Sequence, residues 1–221
     1  KVWAVVKANA YGHGLARVLP ALERADGLAL LDLDEAQRAR EGGWRKPILL
    51  LEGFFTPDDL AVVDALRLTP VLHQPEQVQM LERHPRAGAL EVYVKLNTGM
   101  NRLGFNADEL TPTLQRLGAL PGVRVASLMT HFANADGARA QDVDEPLRRF
   151  QSITTHWSGD TSLANSAALL MQPQVQGSSV RPGIMLYGAT PARGKPAADF
   201  DLRPVMRLCS ELIAVRTLAV G

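Results

Sequence analysis

Lysine, histidine, serine and arginine stand in this chain where chemistry can be done. Lys7 follows the apolar run Val2-Trp3-Ala4-Val5-Val6 and opens the stretch Ala8-Asn9-Ala10-Tyr11-Gly12-His13-Gly14. A second lysine, Lys95, follows Val92-Tyr93-Val94 and leads into Asn97-Thr98-Gly99-Met100-Asn101-Arg102-Leu103-Gly104. His131 sits between Thr130 and Phe132, and Asn165-Ser166-Ala167-Ala168 and Arg181-Pro182-Gly183-Ile184 follow later in the chain. A lysine at the end of a buried strand loses solvation, which lowers its pKa and leaves a nucleophilic amine able to form a Schiff base. By position alone, a lysine snorkelling from a strand edge reads the same way.

Asn165-Ser166 ahead of a helix and Gly183 in a tight loop are the parts of a phosphate cup: a hydroxyl and free backbone N–H groups at a helix start. Ser166 alone is an ordinary N-cap residue. His131 alone is a core histidine, and Arg102 alone a surface arginine. A reactive lysine combined with a phosphate cup points to pyridoxal phosphate. His13, in a Gly-flanked turn, reads as a support of its loop. His73, His84 and His156 have no partners at metal-ligand spacing, so no metal is expected.

These residues need strand ends to carry them. Short apolar runs at Lys1 to Lys7, Gly27 to Leu31, Pro47 to Leu51, Thr69 to His73, Glu91 to Leu96, Arg124 to Met129, Thr161 to Ala164 and Gly183 to Tyr187 read as strands. Most are continuous rather than alternating, as parallel strands buried on both faces should be. Pro70 weakens the fourth, because it cannot donate to a ladder. Helical spacing separates the runs. Leu15, Val18, Leu19 and Leu22 share a face that Pro20 must start, kink or shorten. Asp34 can cap Glu35 to Glu41, and Thr56-Pro57-Asp58-Asp59 and Gln74-Pro75 open further helices. Leu110, Leu114 and Leu117 mark another, and Leu147, Phe150 and Ile153 the next. Eight strands with interposed helices predict an α/β (β/α)8 barrel, whose chemistry belongs at the C-terminal strand ends. A doubly wound sheet is the alternative, weakened because no Gly-x-Gly-x-x-Gly follows a strand.

Composition closes off other classes. With 24 Lys and Arg against 23 Asp and Glu, the net charge of +1 gives no electrostatic argument for nucleic acid. No apolar run has the roughly 18 residues of a membrane span. The single Cys209 cannot form an internal disulfide, which fits a reducing cytoplasm. The chain starts at Lys1 inside a strand-like run and stops at Gly221 inside another, so a piece of a longer protein is expected. Residues 1–189 read as the barrel. Residues 190–221 read as a linker followed by the first strands of a second, β domain.

Val5 to Gly14 resembles the cofactor-lysine signature of alanine racemases. The likeness continues through Lys95 to Gly104, Thr130-His131-Phe132-Ala133, Asn165 to Ala168 and Arg181 to Gly188. The resemblance implies pyridoxal 5'-phosphate as cofactor and the interconversion of L- and D-alanine, for peptidoglycan precursors in the bacterial cytoplasm. It implies that Lys7 holds the cofactor and is one of two acid–base residues at the substrate Cα. Tyr11, Asn165, Ser166, Gly183 and Ile184 would bind the phosphate end, the last two through backbone N–H. Arg181 would face the pyridine nitrogen, and His131 would pack on the ring. Arg102 would reach the phenolic oxygen and the substrate carboxylate. Lys95 matches a lysine that is often carbamylated and orients that arginine.

In the family a β domain follows the barrel and supplies the second base, a tyrosine, across a homodimer interface. Tyr11, Tyr93 and Tyr187 all belong to barrel motifs, so the resemblance implies that this tyrosine lies beyond Gly221 and that residues 1–221 alone do not racemise. The helix that usually precedes the first strand is also missing from the sequence. Three rivals are a cofactor carrier without racemase activity, a pyridoxal-dependent decarboxylase on a similar barrel, and a phosphate-binding barrel without cofactor. The Asn97 to Gly104 loop disfavours the first, and Ala8-Asn9-Ala10-Tyr11 is unlike the lysine motif of the second. Visible absorbance from the bound cofactor would exclude the third.

Overall fold

The computed structural model describes residues 1–84, 88–137 and 141–219. Eight parallel strands follow one another in chain order: β1 (Trp3–Val5), β2 (Gly27–Leu30), β3 (Ile48–Leu50), β4 (Leu68–Leu72), β5 (Leu90–Lys95), β6 (Val123–Met129), β7 (Asp160–Asn165) and β8 (Ser179–Arg181). Val2 pairs in parallel with Val180, and the amides of Val180 and Val5 donate to Lys1 O and Pro182 O, so β8 returns to β1 and the barrel closes.

The continuous apolar character of the strands has its cause in this closure. Leu28 and Leu30 of β2 and Ile48 and Leu50 of β3 face the helices, in the main core. Ala29 and Leu49, one residue out of phase, join Trp3, Val5, Val71, Tyr93 and Met129 in the cluster that fills the barrel. Both faces are buried, so neither can be polar.

The helical segments are α1 (Lys7–Tyr11), α2 (Leu15–Val18), α3 (Leu33–Glu41), α4 (Asp59–Ala65), α5 (Pro75–Arg83), α6 (Ala107–Gly118), α7 (Gln141–Ile153) and α8 (Ser166–Met171). Pro20 shortens α2, and the chain continues as a 3-10 turn over Leu19–Leu22. The cap of α3 is Asp32 rather than Asp34: its carboxylate accepts the Glu35 N–H at 2.7 Å. Gln74 and Pro75 open α5 as expected. The Asp59 carboxylate accepts the amides of Phe55 and Thr56 at the start of α4.

Pro70 is accommodated because β4 changes partner there. Residues 68–70 pair with β3, and residues 71–72 with β5. The eighth strand is not Gly183 to Tyr187. The strand is Ser179–Arg181, and the apolar run after Gly183 winds into a 3-10 turn, Ile184–Tyr187, that closes the site.

Residues 202–219 carry no helix or strand, and Leu208, Leu212 and Ile213 are exposed. A strand forms only against a neighbour to pair with. Val220 and Gly221, the end of the strand-like run, lie outside the described residues. Among the described residues no helix is long and apolar enough to cross a membrane.

Candidate active site

A cavity of about 360 Å³ opens at the C-terminal end of the barrel. Lys7, Tyr11, Lys95, Arg102, His131, Asn165, Ser166, Arg181, Gly183 and Ile184 all line it. The sequence-predicted residues, scattered over 178 positions of chain, are brought to one place because each follows or ends a strand.

Lys7 heads an unusual turn. Ala8, Asn9, Ala10 and Tyr11 have φ between 52 and 57°, a complete left-handed helical turn with no glycine in it. For L-residues that conformation costs roughly 1–2 kcal/mol each, so the turn holds several kcal/mol of strain. Ala10 N–H donates to Val6 O at 2.8 Å and Gly12 N–H to Ala8 O at 2.9 Å. Gly12 then leaves the turn at φ 82°, where glycine alone is free of penalty. Lys7 and Tyr11, at the two ends of the turn, both reach the cavity. Tyr187 steadies the turn from behind. Its ring lies 4.9 Å from that of Tyr11, His13 stacks on it at 4.5 Å, and its hydroxyl donates to Val5 O at 3.0 Å. Burial pushes the Tyr11 phenol up from its usual pKa, so it stays a neutral donor.

The cup is built from β7, α8 and the loop after β8. Asn165 Oδ1 accepts the Ala168 N–H at 3.0 Å, which caps α8. The buried Ser166 Oγ accepts the Gly183 N–H at 2.7 Å. A Cβ on Gly183 would sit 2.4 Å from Tyr11 Oη, so only glycine lets this backbone and the tyrosine hydroxyl converge.

The walls are cationic. Lys7, Lys95, Arg102 and Arg181 face the cavity against the carboxylates of Glu52 and Asp136, an excess that favours an anionic ligand. Arg181, 4% exposed, donates from Nη1 to Ser162 Oγ at 2.6 Å and from Nη2 to Thr130 O at 2.7 Å. Burial lowers its pKa to about 10, which leaves it charged at neutral pH. Thr130 also ties the β5 loop to β6, through Thr98 Oγ1 at 2.7 Å and Leu96 O at 3.0 Å. Lys95, 6% exposed, is lowered to about 8 by burial and by the Arg181 and Arg102 guanidiniums. His131 is lowered to about 3 by burial and by the surrounding cations, so its ring is neutral. Arg102 is exposed, on a loop that Asn97 organises by accepting the amides of Gly99 and Asn101 at 3.1 Å.

Glu52, Met129, Asp136 and Pro191 also line the cavity, and sequence reasoning passed over them. Glu52 was legible: a charged residue closing the apolar run Leu49-Leu50-Leu51 is the signal that marked Lys7 and Lys95. Ser162, a polar residue fully buried inside β7, was legible in the same way.

These residues fit pyridoxal phosphate. The Ser166–Gly183 cup with Tyr11 suits a phosphate, the Lys7 amine an aldehyde, the donor-only Arg181 a ring nitrogen, and the neutral His131 ring an aromatic face. A larger cavity, about 920 Å³, opens at the opposite end of the barrel and holds none of the predicted residues. There Arg40 donates to the carbonyls of Trp44, Lys46, Leu66 and Arg67, a structural use of the guanidinium.

Residues 1–191 match the family described as alanine racemase, N-terminal domain. The whole chain is 51% identical to an alanine racemase of Burkholderia mallei and 48% identical to one of Erwinia tasmaniensis, and spans 62% of each. Among solved structures, 92% of the chain superposes on 57% of the biosynthetic alanine racemase from Pseudomonas aeruginosa, at 41% identity and a TM-score of 0.88. The alanine racemase from E. faecalis gives a TM-score of 0.90 over 99% of the chain and 61% of that structure, at 30% identity. The barrel of this chain is thus the barrel of these enzymes, and the likeness runs from the first strand past the last. The chain belongs to the family of alanine racemase N-terminal domains.

Proposed function

We propose that this chain is the cofactor-binding part of a cytoplasmic, homodimeric alanine racemase that supplies D-alanine for peptidoglycan. The observation that carries the reading is that the Lys7-headed turn and the Ser166–Gly183 cup open on one cationic cavity. Residues 1–189 form the barrel, and 190–221 lead into a β domain. Pyridoxal phosphate, when bound, supplies the electron sink that acidifies the Cα–H of an amino acid.

Ser166 Oγ, Tyr11 Oη and the backbone N–H groups of Ile184 and of Gly183, the latter exchanging Ser166 Oγ for a phosphate oxygen, would hold the phosphate, with Asn165 fixing the start of α8. Arg181 carries only donors, so it binds the ring nitrogen without giving it a proton. His131, neutral by burial, packs on the ring. Arg102 takes the substrate carboxylate, and Lys95, as its carbamate, pairs with Arg102 and orients it. The Lys7 amine removes or returns the proton at Cα on its own face. The opposite face needs a second acid–base group. Tyr187 is committed to Val5 O, and Tyr93 lies inside the barrel. The family resemblance implies that this second base is a tyrosine outside residues 1–221.

The test follows Cα deuterium exchange of L- and D-alanine in D₂O beside enantiomer conversion, with the purified protein and added pyridoxal phosphate. Slow exchange with retained configuration is expected from residues 1–221. No exchange with either enantiomer contradicts the cofactor reading, and fast conversion contradicts the placement of the second base.

A further inference from the structure

A left-handed turn of four L-residues must be held from outside. As at any helix start, the first amides of the turn have no carbonyl within it to donate to. The Asn9 N–H finds its acceptor 26 residues away, in Glu35 Oε1 at 2.5 Å. Asn9 passes the restraint on, since its Oδ1 accepts the Leu15 N–H at 2.9 Å and ties the turn to α2.

Glu35 does not cap its own helix. Asp32 caps α3, and the inward positions nearby are apolar, Ala36 and Ala39. Yet Glu35 is 3% exposed, and its Oε2 is buried with no hydrogen-bond partner among the described residues. Arg38, on the next turn of α3, comes only to 4.0 Å and is half exposed. Burying a carboxyl with one oxygen unpaired is unfavourable, so the group must return something elsewhere. Burial pushes the carboxyl's pKa up, and of the groups that oppose it the Asn9 amide weighs more than Arg38.

We infer that Glu35 is a positioning residue for the cofactor loop: by holding the Asn9 amide it maintains the left-handed turn that keeps the Lys7 amine and the Tyr11 hydroxyl at the cavity. The inference rests on the reading of Lys7 and Tyr11 as cofactor residues. Glu35 touches neither cofactor nor substrate. It acts from the first turn of α3, which follows β2, upon the turn that follows β1, between adjacent strands of the barrel.

Three substitutions separate this role from simple packing. Glu35→Gln keeps an acceptor oxygen in place, Glu35→Asp keeps the charge but withdraws it by a methylene, and Glu35→Ala removes both. Each protein is compared with the wild type by the dissociation constant for pyridoxal phosphate and by hydrogen exchange of the Asn9 amide without cofactor, at a temperature where all are folded. Glu35→Asp and Glu35→Ala should weaken binding by roughly tenfold or more and speed Asn9 exchange, whereas Glu35→Gln should stay near wild type in both. If the alanine variant does not fold, the aspartate variant carries the test. Wild-type affinity and exchange in Glu35→Asp, or a Glu35→Gln as defective as Glu35→Asp, overturns the inference. A wild-type protein that takes up no pyridoxal phosphate overturns the functional reading itself, and the inference with it.

Discussion

Replacing Gly183 by alanine places a methyl carbon 2.4 Å from Tyr11 Oη, 3.2 Å from Tyr11 Cζ and 3.5 Å from Val5 Cβ. The atom struck is the far end of a tyrosine, which swings aside more readily than backbone. The stability loss should therefore fall at the low end of the ~1–3 kcal/mol of overpacked cores. The loss in function should be larger. A displaced Tyr11 no longer donates to the phosphate, and a hydrogen bond to a charged group contributes about 1.5–3 kcal/mol, or roughly a tenfold to hundredfold weaker affinity for pyridoxal phosphate. Tyr11→Phe removes the same bond and the atom that clashes. The double variant Gly183→Ala/Tyr11→Phe should then bind about as weakly as either single one, and its stability should recover towards that of Tyr11→Phe. The assay is a thermodynamic cycle of dissociation constants by cofactor absorbance, with urea unfolding of the cofactor-free proteins. Independent losses that multiply in the double variant, or a Gly183→Ala that binds like wild type, would refute the reasoning.

Lys95 titrates at about 8 in the folded protein against roughly 10.4 unfolded. The unfolded chain binds more protons between those values, so stability should rise with pH across that window. With bicarbonate excluded, so that Lys95 keeps its free amine, the urea midpoint of wild type should therefore rise relative to that of Lys95→Met above pH 8, and parallel curves would contradict the buried lysine. For His131, held at about 3 against roughly 6.5 unfolded, the neutral form contributes stability that is lost as pH falls below 6.5. Its ring resonances should not titrate between pH 5 and 8, and a midpoint near 6.5 would dismiss the cationic cage. Ser162→Ala removes the acceptor of Arg181 Nη1 inside the barrel. It should destabilise by about 1.5–3 kcal/mol in urea unfolding, and a change well under 1 kcal/mol would show that water replaces it.

The barrel was legible because its strands are buried on both faces, which writes uninterrupted apolar runs into the sequence. Where that cause lapsed, the reading slipped. Ser179 and Arg181 of β8 point polar groups into the protein, so the eighth strand lacks an apolar run, and the nearest one, Gly183 to Tyr187, reads as the strand instead. Asp32 and Asp34 both offer a capping oxygen to α3, and only the backbone geometry distinguishes them. Lys7 and Lys95 stand out in the sequence because a lysine is conspicuous after an apolar strand, and both line the cavity. The left-handed turn was not found. Ala8 and Ala10 favour right-handed helix, and the acceptor that holds the Asn9 amide between them is a carboxylate remote in sequence. Glu35 itself reads as one more acidic residue in the first turn of a helix, a commonplace there. Tertiary contacts, rather than local propensity, shape the part of the site that carries Lys7.

The central claim is that Lys7 bonds to pyridoxal phosphate. Incubating the protein with the cofactor, reducing with borohydride and mapping the peptides by mass tests it without reference to turnover. One pyridoxyl group on the peptide that contains Lys7 is the expected result. A pyridoxyl group on Lys95 instead, or no stable modification at all, would contradict it.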